Sequence, residues 1–125
     1  MEYMNNKRIL VVDDEQDIAL TLGEGLVEAG YDIKTFNDPA LALSEFKAGA
    51  YDLLLLDVKM PGMTGFELYR KIKDIDSKVN VCFITAFESY HEEFKREFFP
   101  LGNVKGFIQK PITIEDLIKF IDEII

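Results

Sequence analysis

Three acidic groups in this 125-residue sequence stand directly behind hydrophobic runs: Asp13 and Asp14 after Ile9–Val12, with Glu15 following, and Asp57 after Leu53–Leu56. Thr85 follows a run that ends at Ile84, and Lys110, with Pro111 behind it, follows a run through Ile108. If these runs are parallel strands, their carboxyl ends meet at one edge of a sheet, where open α/β folds place their ligands. Three carboxylates, a hydroxyl and an ammonium would then converge. Carboxylates that close repel by ~4 kcal/mol per pair at 4 Å and an effective dielectric near 20. A fold carries that cost readily when a cation fills the gap, and Lys110 alone offsets one charge rather than three. An all-oxygen donor set with room for water suits a small hard ion, Mg²⁺ best. Each residue also has an ordinary reading. The acidic pair suits a helix N-terminus, Asp57 suits a strand end, Thr85 favours strands, and Lys110 suits a solvated surface. The ordinary alternative to convergence is that Asp13 and Asp57 point apart into water.

The elements that would position these groups alternate in period. β-branched or leucine-rich runs at Arg8–Val12, Tyr31–Phe36, Tyr51–Leu56, Val79–Ile84 and Val104–Ile108 read as strands. Between them lie stretches of helical spacing. Ile18, Leu22, Leu26 and Ala29 share a face of the first, in which Gly23 and Gly25 each cost ~1 kcal/mol relative to Ala if exposed. The second opens at Asp38-Pro39, runs to near Gly49 and turns Leu43 and Phe46 inward. Thr64–Glu67, Ser89–Glu92 and Thr113–Asp116 read as capping boxes opening three more. The third helix would bury Leu68, Ile72 and Ile75, and the fifth carries Ile114, Leu117, Ile118, Ile121 and Ile124. Strands apolar on both sides, alternating with helices, predict an α/β fold with a parallel sheet covered on each face.

Length allows one domain, 1–125, with a core over about 7–125. Hydrophobic residues at 48% and charged residues at 30% are a globular composition. The net charge of −9 opposes direct nucleic-acid binding and favours divalent cations and basic partners. The single Cys82 rules out an internal disulfide, and with His91 as the sole histidine there is no Cys/His zinc cluster. Apolar runs of four residues are too short for membrane insertion. Met1–Arg8 does not resemble a signal peptide, so the expected compartment is the cytoplasm.

These residues resemble the response-regulator receiver domains of two-component signalling. The resemblance is carried by Ile9–Asp14, by Tyr51–Gly65 with Asp57 followed by Met60-Pro61 and then Gly65, by Phe83–Ala86 and by Gly106–Pro111. It implies a flavodoxin-like, doubly wound (βα)5 fold with strand order 2-1-3-4-5. It further implies that Asp57 accepts a phosphoryl group from a sensor histidine kinase or histidine phosphotransfer protein. Mg²⁺ would be held by Asp14 and Asp57 directly, by Asp13 largely through water, and by the backbone carbonyl of Lys59. Lys110 would pair with the phosphoryl oxygens, and Thr85 and the amides of Ala86 and Lys59 would hold the new group. Phe107 is in the place of the switch aromatic, Pro111 in that of a proline after a cis peptide, and Pro61 and Gly65 are structural. The face formed by the fourth helix, fifth strand and fifth helix would change shape and pass the signal to a protein partner or output domain. Glu15 is expected at the helix start rather than among the metal ligands.

The stretch from Phe87 to Gly102 departs from the family's pattern in length and in its aromatic content: Phe87, Tyr90, Phe94, Phe98 and Phe99. Phe94 and Phe98, four apart, read as core-facing, and Tyr90 or Phe99 alternatively as a partner surface. Phe87 would overlook the phosphoryl group and limit water access. Competing readings are a Mg²⁺-dependent aspartyl phosphatase, for which the chain is short of a cap, and a flavodoxin-type flavin binder, whose phosphate loop Asp13–Glu15 would repel. A phosphorylation-independent interaction module is a further alternative. Whether the sequence is a stand-alone receiver or the front of a longer regulator stays open.

Overall fold

Five of the hydrophobic runs pair side by side in parallel, and the helical stretches between them cover both faces of the resulting sheet. The structure, a computed structural model, describes residues 7–86 and 103–125. Its elements are β1 (Arg8–Val12), α1 (Gln16–Glu28), β2 (Asp32–Phe36), α2 (Pro39–Glu45), β3 (Leu53–Asp57), α3 (Gly65–Ile75), β4 (Asn80–Thr85), β5 (Val104–Gln109) and a C-terminal helix, α4 here (Ile114–Ile124), fifth in the sequence reading. The Ser89–Glu92 box with its helix, Phe87 and the aromatic residues after it, and His91 lie outside the described residues. Strand order is β2-β1-β3-β4-β5, the flavodoxin-like doubly wound arrangement.

Alternation along each strand divides the core into two layers, because successive side chains point to opposite faces. Leu10, Val12, Leu54, Leu56, Val81 and Phe83 pack with α2 and α3, where Phe66 and Tyr69 meet the Phe83 ring edge-on at 4.8 and 5.8 Å. Ile9, Val11, Leu53, Leu55, Cys82, Ile84 and Ile108 pack on the other side with α1 and α4. β3 is buried at every position, as a central strand covered twice should be. The two edge strands are the exceptions to strands apolar on both sides. β2 exposes Asp32 and Lys34, and β5 exposes Lys105 and Gln109.

The capping signals act as the residue types require. Asp38 accepts from Ala40 N with Pro39 at the first helical position. Thr64 and Glu67 exchange both bonds of a capping box, whereas at Thr113–Asp116 only half of the expected box forms, Thr113 accepting from Asp116 N. One helix end and two inward faces differ from expectation. α2 ends at Glu45, not near Gly49, because Phe46 turns to extended backbone (φ −67, ψ 139) and lays its ring on Tyr51 at 5.8 Å. Pro39 and Ala42 are the buried residues of α2, while Leu43 is half-buried. In α3 the inward set is Phe66, Leu68, Tyr69 and Ile72; Ile75, the last helical residue, is exposed. The α1 glycines are contact points rather than mere weaknesses. A Cβ at Gly25 would stand 2.8 Å from Ile114 of α4, and one at Gly23 would stand 2.9 Å from Thr35 of β2.

Candidate functional site

The register brings the ends of the strands level. Val12 pairs with both Phe36 and Leu56, Asp57 with Ile84, and Thr85 with Gln109. Asp13, Asp57, Thr85 and Lys110 therefore emerge at the same edge. Backbone bonds continue the ladder past the strands: Asp13 N donates to Phe36 O, Val58 N to Ile84 O, and Lys110 N to Thr85 O. The side chains cannot drift apart, because the main chain that carries them is tied across the sheet.

The edge holds a cleft of about 360 Å³ lined by Asp14, Glu15, Asp57, Lys59, Met60, Pro61, Ala86 and Lys110. Asp57 is buried within that lining, and Asp13 and Thr85 are buried as well. Carboxylate oxygens of Asp13, Asp14 and Asp57 all lie within 4.8 Å of one another, a spacing that a divalent cation can bridge. The ammonium of Lys110 reaches three carboxylates: Asp13 Oδ2 at 2.9 Å, Glu15 Oε1 at 3.5 Å and Asp57 Oδ1 at 3.8 Å. Asp13 is engaged twice, since its Oδ1 also accepts from Glu15 N.

One ammonium does not balance this much negative charge. Burial, then the neighbouring charge of Asp13, pushes the Asp57 carboxyl up to about 8; Lys110 opposes the rise and Asp14 adds to it. Without a cation, burial and Asp13 thus favour the protonated form of Asp57. Burial alone would lower Lys110, but its bond to Asp13 and the charges of Asp57, Asp13 and Glu15 together hold it above its ordinary value. Buried charges of this kind are costly unless paired or bound to metal. The acidic trio fits a hard divalent ion by donor chemistry and by spacing.

Gly65 is what allows α3 to start beside Asp57. A Cβ there would fall 2.3 Å from the Asp57 carbonyl oxygen and 3.2 Å from Val58 Cα, while Gly65 N donates to Val58 O at 2.8 Å. Pro61 is exposed in the loop between, ahead of Gly62, whose φ of +81 suits glycine. The Lys110–Pro111 peptide is cis. Phe107 is half-buried on the α3 side of β5, in contact with the core. Cys82 is wholly buried, and burial pushes its thiol up, away from reactivity.

Sequence reasoning missed the link between Glu15 and Lys110. Glutamate at a position where Asp, Asn, Ser or Thr is preferred was the signal available. Met60 as part of the cleft wall carried no such signal.

A family model described as the response regulator receiver domain matches residues 9–122. Sporulation initiation phosphotransferase F of Bacillus subtilis (strain 168) is 33% identical over 114 residues, which is 91% of this chain and 90% of that protein. The transcriptional regulatory protein PcoR of Escherichia coli is 32% identical over 112 residues, 90% of this chain but 48% of that protein. The chain spans about half the length of such curated regulators. Among solved structures, response regulator protein TrrA of Thermotoga maritima, in complex with Mg(2+)-BeF, superposes with a TM-score of 0.78 at 31% identity, covering 95% of this chain and 99% of that one. A CheY-like receiver domain protein of Methanospirillum hungatei gives 0.82 at 27% identity, covering 95% and 93%.

Proposed function

The chain belongs to the response regulator receiver domain family of two-component systems, and from that premise we propose that Asp57 accepts a phosphoryl group from a phosphohistidine donor. The observation that carries the reading is the convergence of Asp13, Asp14, Asp57 and Lys110 at one sheet edge. In the transfer, an Asp57 carboxylate oxygen bonds to phosphorus as the P–N bond to the donor imidazole breaks, and the nitrogen keeps the electron pair. The product is an acyl phosphate, reactive and therefore temporary. Transfer of this kind asks mainly for positioning and charge neutralisation. Lys110 supplies one positive charge beside Asp57 and pairs with the phosphoryl oxygens. The Thr85 hydroxyl and the amides of Ala86 and Lys59 hold the group.

Asp13, Asp14, Asp57 and the backbone carbonyl of Lys59 would hold Mg²⁺, which when bound neutralises charge on the acceptor and the incoming phosphoryl group. That TrrA forms a complex with Mg(2+)-BeF supports this ion. As Thr85 turns toward the phosphoryl group, Phe107 moves into the space it leaves, and the surface around β5 and its flanking helices changes shape. That is a two-state element biased by local charge. Residues 1–125 act as one receiver domain in the cytoplasm, catalysing only their own phosphorylation and dephosphorylation. They pass the signal to a protein partner or output domain rather than to nucleic acid or membrane. Among the described residues no helix is long and apolar enough to cross a membrane.

The test is incubation with acetyl phosphate and Mg²⁺, followed by intact mass. The expected result is a gain of one phosphoryl group that disappears in Asp57→Ala and on chelation of the metal. A gain retained in Asp57→Ala would refute the assignment.

A further inference from the structure

We infer that Glu15 is a positioning residue that holds Lys110 before phosphorylation and disfavours small donors of high charge; this rests on reading Asp57 as the acceptor. Glu15 occupies the N-cap position of α1 in extended backbone (φ −83, ψ 102), yet its side chain makes no capping hydrogen bond. Asp or Ser there would bond a backbone N–H of the first turn. The longer glutamate instead brings Oε1 to 3.5 Å from Lys110 Nζ, at the mouth of the cleft that contains Asp57.

The three partners of Lys110 are not equivalent. Asp13 is the nearest, and its side chain is 1% exposed, so separating the two would leave a buried charge without its partner. The Glu15 side chain is 60% exposed. It can return to water at little cost. Lys110 therefore trades Glu15 for a phosphoryl oxygen while keeping its bond to Asp13. The released carboxylate stays at the mouth of the cleft as a negative charge that an anionic donor must pass.

Acetyl phosphate and phosphoramidate separate this role from a structural one, because the first carries two negative charges at neutral pH and the second one. With acetyl phosphate, Asp57 oxygen bonds to phosphorus as the P–O bond to the acetyl group breaks and acetate leaves with the electron pair. With phosphoramidate the P–N bond breaks, and the already protonated nitrogen leaves as ammonia. Initial rates of phosphoryl gain are compared by intact mass, with Mg²⁺, for the parent chain, Glu15→Gln and the control Asp17→Asn, an exposed acid of the first turn. Glu15→Gln should raise the acetyl phosphate rate by about three- to fivefold, the size of an exposed charge interaction, and the phosphoramidate rate by less. The difference should collapse near 1 M salt, where screening acts within about 3 Å, and Asp17→Asn should match the parent. In metal-free protein the NMR signal of the Lys110 ammonium nitrogen should shift in Glu15→Gln.

An unmoved Lys110 signal, or equal rate changes for both donors, overturns the role of Glu15 while leaving Asp57 as acceptor. Labelling that survives in Asp57→Ala, or a parent chain that takes no phosphoryl group, overturns the acceptor reading and the inference together.

Discussion

Replacing Asp57 by asparagine removes a carboxylate whose charged form burial and Asp13 disfavour in the metal-free fold. The ordinary value is 3.8, and burial together with Asp13 pushes it up to about 8. Between those two values the folded chain holds a proton that the unfolded chain has released, so stability falls as pH rises from about 4 to about 8. At pH 7 the difference spans roughly three pH units, or about 4 kcal/mol at 1.36 kcal/mol per unit. The asparagine amide has its own burial cost of about 1–3 kcal/mol. The variant should therefore exceed the parent by about 1–3 kcal/mol at pH 7 in EDTA, with the gap shrinking or reversing by pH 5. Urea denaturation at pH 5, 6, 7 and 8 reads this directly. A difference independent of pH, or a parent more stable than Asp57→Asn at pH 8 without metal, would refute the electrostatic account of the site.

Other substitutions test separate links. Gly65→Ala forces a Cβ against the Asp57 carbonyl at 2.3 Å; it should cost about 2–3 kcal/mol by the same denaturation assay, since backbone must move, and a loss under 0.5 kcal/mol would show slack at that junction. Thr64→Ala removes one half of the capping box and should cost about 1 kcal/mol with an unchanged m-value. Saturation with Mg²⁺ at a hundredfold excess over its Kd should stabilise the parent by about 3 kcal/mol and leave Asp14→Ala unmoved; equal stabilisation of both would place the ion elsewhere.

Much of the site was legible because a parallel sheet gathers residues that follow its strands. Asp13, Asp14, Asp57, Thr85 and Lys110 each stand at or just beyond a strand end, so order along the chain and strand direction suffice to bring them to one edge. The caps at Asp38, Thr64 and Thr113 were legible for a similar reason, since each acts within three residues. What was not legible depends on tertiary contact. The close approach of Gly25 to Ile114, and of Gly65 to Asp57, joins residues whose local pattern shows only poor helix formers. α2 stops early because the Phe46 ring finds Tyr51, a packing choice that overrides helical spacing. How Lys110 divides itself among Asp13, Glu15 and Asp57 is set by differences of an ångström across separate strands, which no spacing rule contains.

The acceptor itself can be identified chemically. Acyl phosphates are reduced by borohydride, which converts a phosphorylated aspartate to homoserine. After incubation with a small phosphodonor and Mg²⁺, reduction, digestion and peptide sequencing should find homoserine at position 57 and nowhere else. Homoserine at position 13 or 14, or none above the level of a sample incubated without donor, would contradict the assignment of Asp57.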